Sequence, residues 1–166
     1  MADKGLDSLF QNTLRDVYYA ERHILKTLPQ LEAAAASDEL KAAFHKHHDE
    51  TEGQIVRLER VFELFDRKPR SKRCEAIDGL LKEGDEVLEE YEGTSALDAG
   101  LIASAQAVEH YEIARYGTLR RWAELLGVGE AADLLTETLE QEERTDELLT
   151  KLAETEANAK ARSGGA

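Results

Sequence analysis

Apolar residues recur in steps of three and four along most of this chain, which is the spacing of one face of an α-helix. The pattern predicts four long helices and one shorter helix, with a loop over residues 66–73. The predicted helices are Leu6 to about Ala36, Ser37 to about Phe65, Cys74 to Tyr91, Ser95 to about Leu126, and Gly129 to about Thr155. Runs of β-branched and aromatic residues, which favour strands, are missing, so the predicted fold class is all-α.

Local signals mark several helix ends. Pro29 lies inside the first predicted helix, which either kinks or restarts there. Ser37 is expected to cap the second helix by accepting a backbone N–H. Ser95, followed three residues later by Asp98, resembles a capping box for the third long helix, and Gly127 is expected to end that helix.

Two long-helix hairpins joined by a crossover form the layout of a four-helix bundle. The shorter helix lies in the crossover, and this arrangement predicts a ferritin-like bundle with one crossover connection. We expect a single domain over residues 1–158. The small and polar residues 159–166 are expected to form a disordered tail.

The 166-residue chain carries 21 Lys and Arg residues against 35 Asp and Glu residues, a net charge of −14. Such an acidic surface repels phosphate backbones, so we expect no nucleic-acid partner. No run of 18 apolar residues could span a membrane, and the N-terminus lacks the basic and apolar regions of a signal peptide. The single cysteine, Cys74, rules out an internal disulfide and suits a reducing compartment. These features predict a cytoplasmic protein that does not bind membranes.

Polar residues interrupt the core-facing stripe of every long helix near its middle. They are Glu21 in the first helix, His47 and Glu50 in the second, Glu109 and Glu112 in the third long helix, and Glu142 and Asp146 in the last. Acids are common in this chain, so any single one of them is more readily explained as a solvated or ion-paired residue. The agreement between four helices is what favours a shared site.

The heights of these acids along the bundle agree. Glu21 lies 15 residues before the turn that ends the first helix, and Glu50 lies 13 residues after Ser37. Glu112 and Glu142 have the same two spacings around the later turn. At about 1.5 Å per residue, each antiparallel pair brings its two glutamates to within about one turn of the same height.

Several carboxylates at one height in an apolar bundle need a counter-charge, since each buried ion costs several kcal/mol. No Lys or Arg occupies these stripe positions. Either some of the acids are protonated, or divalent cations lie among them. Two metal ions held by glutamates and histidine from four helices is the known arrangement for such a bundle. His23, His45, His48 and His110 are expected to be exposed, and Tyr116 to pack with a hydrogen-bond partner for its hydroxyl.

Four segments of the chain resemble the YciE/YciF family of bacterial ferritin-like stress proteins over about residues 6–155. They are residues 20–29, residues 47–58 with His47-x-x-Glu50-Thr51, residues 109–119 with Glu109-His110-Tyr111-Glu112, and residues 145–149 with Thr145-Asp146. The resemblance implies a ferritin-like bundle, a homodimer and a candidate dinuclear metal centre. It does not define an activity.

Rubrerythrin-type di-iron bundles offer a wider resemblance, with one glutamate on the first helix and a pair of metal ligands on each of the others. Two departures matter. His47 precedes Glu50 where that pattern has Glu-x-x-His, and Asp146 stands where the last helix would carry histidine. The implied ligand set is therefore rich in oxygen, which favours hard ions such as iron or manganese.

The leading hypothesis is a stress protein with a dinuclear centre, most favourably iron, bound by Glu21, His47, Glu50, Glu109, Glu112, Glu142 and Asp146. Oxygen or hydrogen peroxide would oxidise ferrous iron there. One alternative is a dimeric structural or interaction protein whose metal, such as zinc or calcium, only neutralises buried acids. Another is a manganese catalase-like activity. A storage cage is less favoured, because no cage-forming fifth helix follows the bundle in the sequence.

Overall fold

The computed structural model describes residues 4–164, which form six α-helices and one π-helical segment. The helices are α1 (Leu6–Ala34), α2 (Asp38–Leu64), α3 (Glu75–Tyr91), α4 (Leu97–Leu125), α5 (Gly129–Leu152) and α6 (Asn158–Ser163), and the π-helical segment is Ala153–Ala157. The all-α fold class and the five helices expected from the apolar pattern are confirmed. No helix in residues 4–164 is both long enough and apolar enough to cross a membrane.

The four long helices pack as two hairpins. Within the hairpins α1 packs on α2 and α4 packs on α5, and between them α1 faces α4 and α2 faces α5. The shorter helix α3 lies in the connection between the hairpins and packs on α4 and α1. The fold is therefore the ferritin-like four-helix bundle with one crossover connection that the sequence predicted.

Apolar side chains fill the bundle in two separate clusters, one toward each end. The cluster near the α1–α2 turn includes Ile24, Leu28, Leu40, Phe44, Leu101 and Leu149. The cluster at the opposite end includes Phe10, Leu14, Leu58, Phe62, Tyr116, Leu119 and Leu135. The middle of each long helix lies between these clusters, so the fold places one polar layer between two apolar regions.

Asp98 does not form the capping box that the sequence predicted with Ser95, because no side chain caps the start of α4. The buried Asp98 carboxylate instead accepts hydrogen bonds from the backbone N–H groups of Ala36, at 2.7 Å, and Ser37, at 2.9 Å. Free N–H groups before a helix attract an anion, and the α1–α2 turn presents two of them to α4. The predicted cap of α2 is confirmed, since the Ser37 hydroxyl accepts from the Leu40 N–H at 3.1 Å.

The C-terminal residues also differ from the prediction of a disordered tail over residues 159–166. The chain stays helical through the π-helical segment and α6 to Ser163, while residues 165–166 lie outside the described residues. Alanine is the commonest residue of this stretch and favours helix. An ion pair between Lys160 and Glu156, one turn apart, and the burial of Ala157 give the extension further support.

Candidate metal centre

The layer between the two apolar clusters is made of buried polar side chains from all four long helices. They are Glu21, His47, Thr51, Gln54, Glu109, Glu112, Thr138, Glu142 and Thr145. The solvent-exposed fraction is 0% for Glu21, Glu112 and Glu142, 1% for Glu109 and 4% for His47. We call Glu21, His47, Glu109, Glu112 and Glu142 the carboxylate cluster.

Four members of the cluster offer ligand atoms to a common point. One nitrogen of His47 and one oxygen each of Glu109, Glu112 and Glu142 all lie within 4.8 Å of one another. His47 Nε2 lies 2.9 Å from Glu109 Oε1 and 4.0 Å from Glu142 Oε2. These ligands come from α2, α4 and α5, so three helices converge on the point.

The close approach of His47 to Glu109 is not a hydrogen bond. Although the two atoms are 2.9 Å apart, His47 Nε2 has no hydrogen-bond partner, so its N–H does not point at the oxygen. Two ligands at right angles around an ion at about 2.1 Å lie about 3 Å apart. The separation therefore suits two ligands that face a shared cation.

Glu21 brings the fourth helix, α1, to the cluster. Its Oε1 accepts a short hydrogen bond from the Tyr116 hydroxyl, and its Oε2 is buried with no partner. The carboxyl also interacts with the charge of Glu142 and with Glu112. Tyr116 is itself fully buried, and the bond to Glu21 confirms the prediction that its hydroxyl has a hydrogen-bond partner. The bond fixes the orientation of the Glu21 carboxyl and leaves the second oxygen of Glu21 free.

Buried atoms without hydrogen-bond partners concentrate in this cluster. They are Glu21 Oε2, both ring nitrogens of His47, Glu109 Oε2, and both carboxyl oxygens of Glu112 and Glu142. A buried charged or polar group without a partner costs free energy, and native proteins leave few of them. So many unpartnered atoms in one layer indicate that these side chains are arranged to contact something other than protein.

No lysine or arginine of the described residues pairs with the cluster. Within residues 4–164, Glu21 and Glu112 form no ion pair, and the only basic group near Glu109 and Glu142 is the imidazole of His47. The half-buried Arg57, between α2 and α5, bonds instead to Gln141, Thr138 and Glu137. The protein therefore places four buried carboxyls beside one imidazole.

Burial changes the acidity of these carboxyls. It raises the pKa of Glu21 from an ordinary 4.5 to about 8, with the charge of Glu142 adding to the effect and the Tyr116 hydrogen bond opposing it. Burial also raises the pKa of Glu109 to about 8, an effect that the adjacent Glu142 carboxyl opposes and the charge of Glu21 strengthens. The pKa values of Glu112 and Glu142 are raised by burial and by neighbouring carboxylates. Without a cation, the cluster holds protons at neutral pH.

The residues present fit a bound metal ion. The unpartnered donor atoms are six carboxylate oxygens and the two imidazole nitrogens of His47, and one ligand atom from each of four cluster residues lies within 4.8 Å of the others. A donor set dominated by carboxylates favours hard ions such as iron and manganese, with one imidazole adding a nitrogen ligand.

Glu50 lies at the edge of the cluster rather than inside it. Its side chain is 18% exposed, and its Oε1 lies 3.7 Å from the Lys46 ammonium on the outer face of α2. Its Oε2 is buried and has no partner, and its charge acts on Glu109. One oxygen of Glu50 is therefore available to the cluster.

Asp146 is not brought into the cluster. Its carboxylate is 3.1 Å from His110 Nε2, and its Oδ1 accepts from the Gln106 amide at 3.2 Å. The predicted exposure of His110 is confirmed, since its side chain is 68% exposed. Asp146 follows Glu142 by four residues, which turns it about 40° around α5 toward α4, and its short side chain does not reach back. Its role as a ligand stays a prediction.

Gln54 belongs to the polar layer and was not among the predicted ligands. It is fully buried on α2, its amide donates to Gln141 Oε1 at 3.2 Å, and its own Oε1 has no partner. Its position on the core-facing stripe predicted burial, but the unpaired oxygen could be found only once the neighbouring side chains were placed.

Comparison with known proteins gives a consistent family. Residues 5–162 match the model of a family described as a domain of unknown function, DUF892. The protein YciF of Escherichia coli is 46% identical over 159 residues, which cover 95% of this chain and 96% of that protein.

Solved structures resemble the whole bundle. The crystal structure of the E. coli stress protein YciF is 45% identical with a TM-score of 0.89, covering 94% of this chain and 99% of that chain. YcfI, a putative structural protein from Rhodopseudomonas palustris, is 44% identical with a TM-score of 0.85, covering 88% of this chain and 93% of that chain. A protein of Xanthomonas campestris at 22% identity shares the fold, with a TM-score of 0.75.

Proposed function

The chain belongs to the DUF892 family, and from its uncompensated buried carboxylates we propose that it binds two metal ions, most favourably iron, inside the four-helix bundle. The observation that carries the proposal is the group of unpartnered donor atoms on Glu21, His47, Glu109, Glu112 and Glu142. Bound cations would offset the cost of burying these charges and would give the free oxygens of the cluster a partner. Protonation would also neutralise the carboxyls, and a protonated carboxyl donates to a neighbouring one, so the metal content of the protein decides between the two.

The chain's own residues divide the work of binding. His47, Glu109, Glu112 and Glu142 would hold the ions at their common point, and Glu21 would offer the oxygen that Tyr116 leaves free. Glu50 would contribute its buried oxygen from the edge. The predicted part of Asp146 would require its carboxylate to leave His110 and Gln106.

A bound pair of iron ions would supply two electrons to one oxygen species. Around the pair, the apolar clusters exclude water, and Tyr116 keeps Glu21 in place. We propose ferrous iron as the reductant that is consumed. Two ferrous ions each lose one electron, and hydrogen peroxide with two protons becomes two waters. With dioxygen and two protons, the same two electrons give hydrogen peroxide.

Anaerobic loading with ferrous iron tests this function. We expect the metal-free protein to take up two ferrous ions per chain and to oxidise them on addition of oxygen or peroxide. The measurement is iron per chain after gel filtration, followed by ultraviolet absorbance of ferric iron in stopped flow. Uptake that is no greater than that of the double variant E112Q/E142Q would contradict the proposal.

A second candidate is a structural role in which the metal only neutralises buried acids. The relative from R. palustris, called a putative structural protein, favours it. Loading with zinc separates the two, because a purely structural site would gain the same resistance to urea from zinc as from iron and would show no oxidation of ferrous iron. Manganese fits the same donor set, and rapid dismutation of peroxide by manganese-loaded protein would favour a catalase-like activity instead.

The stress role of E. coli YciF extends to this chain as part of the proposal. The homodimer implied by the family resemblance, and the cytoplasmic location inferred from the sequence, stay predictions. Sedimentation of the purified chain with and without iron measures the first directly.

A further inference from the structure

A small cavity of about 30 Å³, partly open to solvent, lies beside the carboxylate cluster on the side of the α1–α2 turn. Its walls come from all four long helices and from α3 of the crossover. Most of the lining is apolar and includes Ile24, Leu28, Leu81, Phe44, Val108 and Leu149. His47 and Glu109 form part of the same wall, so the cavity touches the cluster directly.

Polar groups are few in this cavity and include two cluster members. Besides His47 and Glu109, the lining offers only the hydroxyls of Thr27 and Thr145. The Thr27 hydroxyl already donates to the His23 carbonyl at 3.1 Å. A buried water needs two to four polar partners, and apolar surface of the kind that lines most of this cavity binds xenon or other small apolar guests. The apolar part of the space therefore favours a guest without hydrogen-bonding groups.

The size of the cavity restricts the guest further. One water-sized molecule needs about 10–15 Å³ by the same measure, so the space holds about two such spheres, which is the size of a diatomic gas. Organic substrates occupy pockets of about 300–1,000 Å³ and do not fit. Alanines at positions 43 and 105 line the cavity, and a larger residue at either position would fill it.

We propose that this cavity binds dioxygen next to the carboxylate cluster, which makes dioxygen, rather than hydrogen peroxide, the oxidant that the protein receives. The inference rests on the proposed metal function, because a gas pocket has a use only if a reductant lies at its end. The apolar wall concentrates an apolar gas beside His47 and Glu109, whereas peroxide must give up hydrogen bonds to water to enter it.

Xenon is the probe, since it occupies apolar cavities without reacting. Crystals of the iron-loaded protein are placed under xenon pressure, and the anomalous signal is compared between the wild type and the variants A105V and A43V. These variants fill the cavity from opposite walls, on α4 and α2. A107V is the matched control, because Ala107 is exposed on the same helix as Ala105. Stopped flow then measures oxidation of bound ferrous iron by dioxygen and by peroxide.

The wild type and A107V should hold one xenon in the cavity, and either filling variant should lose it. In A105V and A43V the rate with dioxygen should fall about tenfold, while the rate with peroxide should change by less than about twofold. Absence of xenon from a wild-type crystal that contains iron would overturn the inference alone. An unchanged dioxygen rate in a variant that excludes xenon would also overturn it. Failure of the wild type to bind iron would overturn the proposed function instead.

Discussion

The substitution E142Q is expected to abolish tight metal binding and, at the same time, to stabilise the metal-free protein. Glu142 is fully buried, neither of its oxygens has a hydrogen-bond partner, and burial together with the charge of Glu109 raises its pKa. Glutamine keeps the size of the side chain, lacks the anionic oxygens that bind a cation, and needs no proton to be neutral when buried. The two effects have opposite signs because the same side chain binds a cation when metal is present and destabilises the folded protein when metal is absent.

The expected magnitudes follow from the chemistry of buried charge. Loss of even a residue that only supports a ligand costs about 10–100-fold in metal affinity, so loss of a ligand should cost more than about 100-fold. Glutamine does not pay the cost of holding a proton above the ordinary pKa of glutamate, about 1.4 kcal/mol for each pKa unit, so the metal-free variant should be more stable by a few kcal/mol. Calorimetric titration with redox-inert Mn(II) measures the first, and urea unfolding of the metal-free protein at about pH 8 measures the second.

The neighbouring E143Q variant is the control, since Glu143 is an exposed acid one residue further along α5. It should leave both quantities unchanged. A variant E142Q that loses stability together with metal binding would indicate that Glu142 supports the fold and is not held there for a cation.

The metal-free protein is also expected to become less stable as the pH rises, which is the reverse of ordinary acid unfolding. The pKa values of Glu21 and Glu109 are about 8 in the folded chain, compared with an ordinary value of 4.5. Between these values the folded state binds more protons than the unfolded state, so the free energy of unfolding falls with rising pH. The contribution of these two groups to the free energy of unfolding is fully present below about pH 4.5 and is lost as the pH rises through about 8.

Metal ions compete for the same carboxylates as protons, so metal binding should show the opposite trend. Affinity for Mn(II) should rise over this range, and binding at about pH 7 should release protons. Since one pKa unit corresponds to about 1.4 kcal/mol, the loss for the metal-free protein should amount to several kcal/mol. Urea unfolding at a series of pH values, with and without Mn(II), measures both trends. A stability of the metal-free protein that rises from about pH 5 to pH 8 would contradict the protonated cluster.

The sequence predicted the cluster because helical geometry converts residue spacing into height. Glu21, Glu112 and Glu142 meet in the structure at the level that their distances from the two turns implied. The prediction rested on the equal spacing of the glutamates from the turn in both hairpins. Because the rise per residue is fixed, the distance from the turn sets the height of a residue along the helix axis.

Direction around each helix was harder to predict than height. Glu50 and Asp146 stand three and four residues from His47 and Glu142, and such offsets turn a side chain by about 60° and 40° from its neighbour. Both residues therefore lie at the edge of the layer, where Lys46 and His110 compete for their carboxylates. The outcome depends on side chains of other helices, which a stripe along one helix does not specify.

Long-range partners account for the other differences. Asp98 has the spacing of a local cap, but the α1–α2 turn offers it two backbone N–H groups from another hairpin. The hydroxyl of Tyr116 on α4 fixes Glu21 on α1, which only the packing of the two hairpins reveals. The cavity beside His47 is likewise a property of five helices together and has no signal in any one of them.

The most direct test of the metal centre is the anomalous scattering of iron in crystals that have been loaded anaerobically with ferrous iron. Two anomalous peaks should appear within bonding distance of Glu112 and Glu142, with His47, Glu109 and Glu21 as further ligands. Density for these side chains without a peak among them, after loading with excess iron, would contradict a metal centre in this bundle.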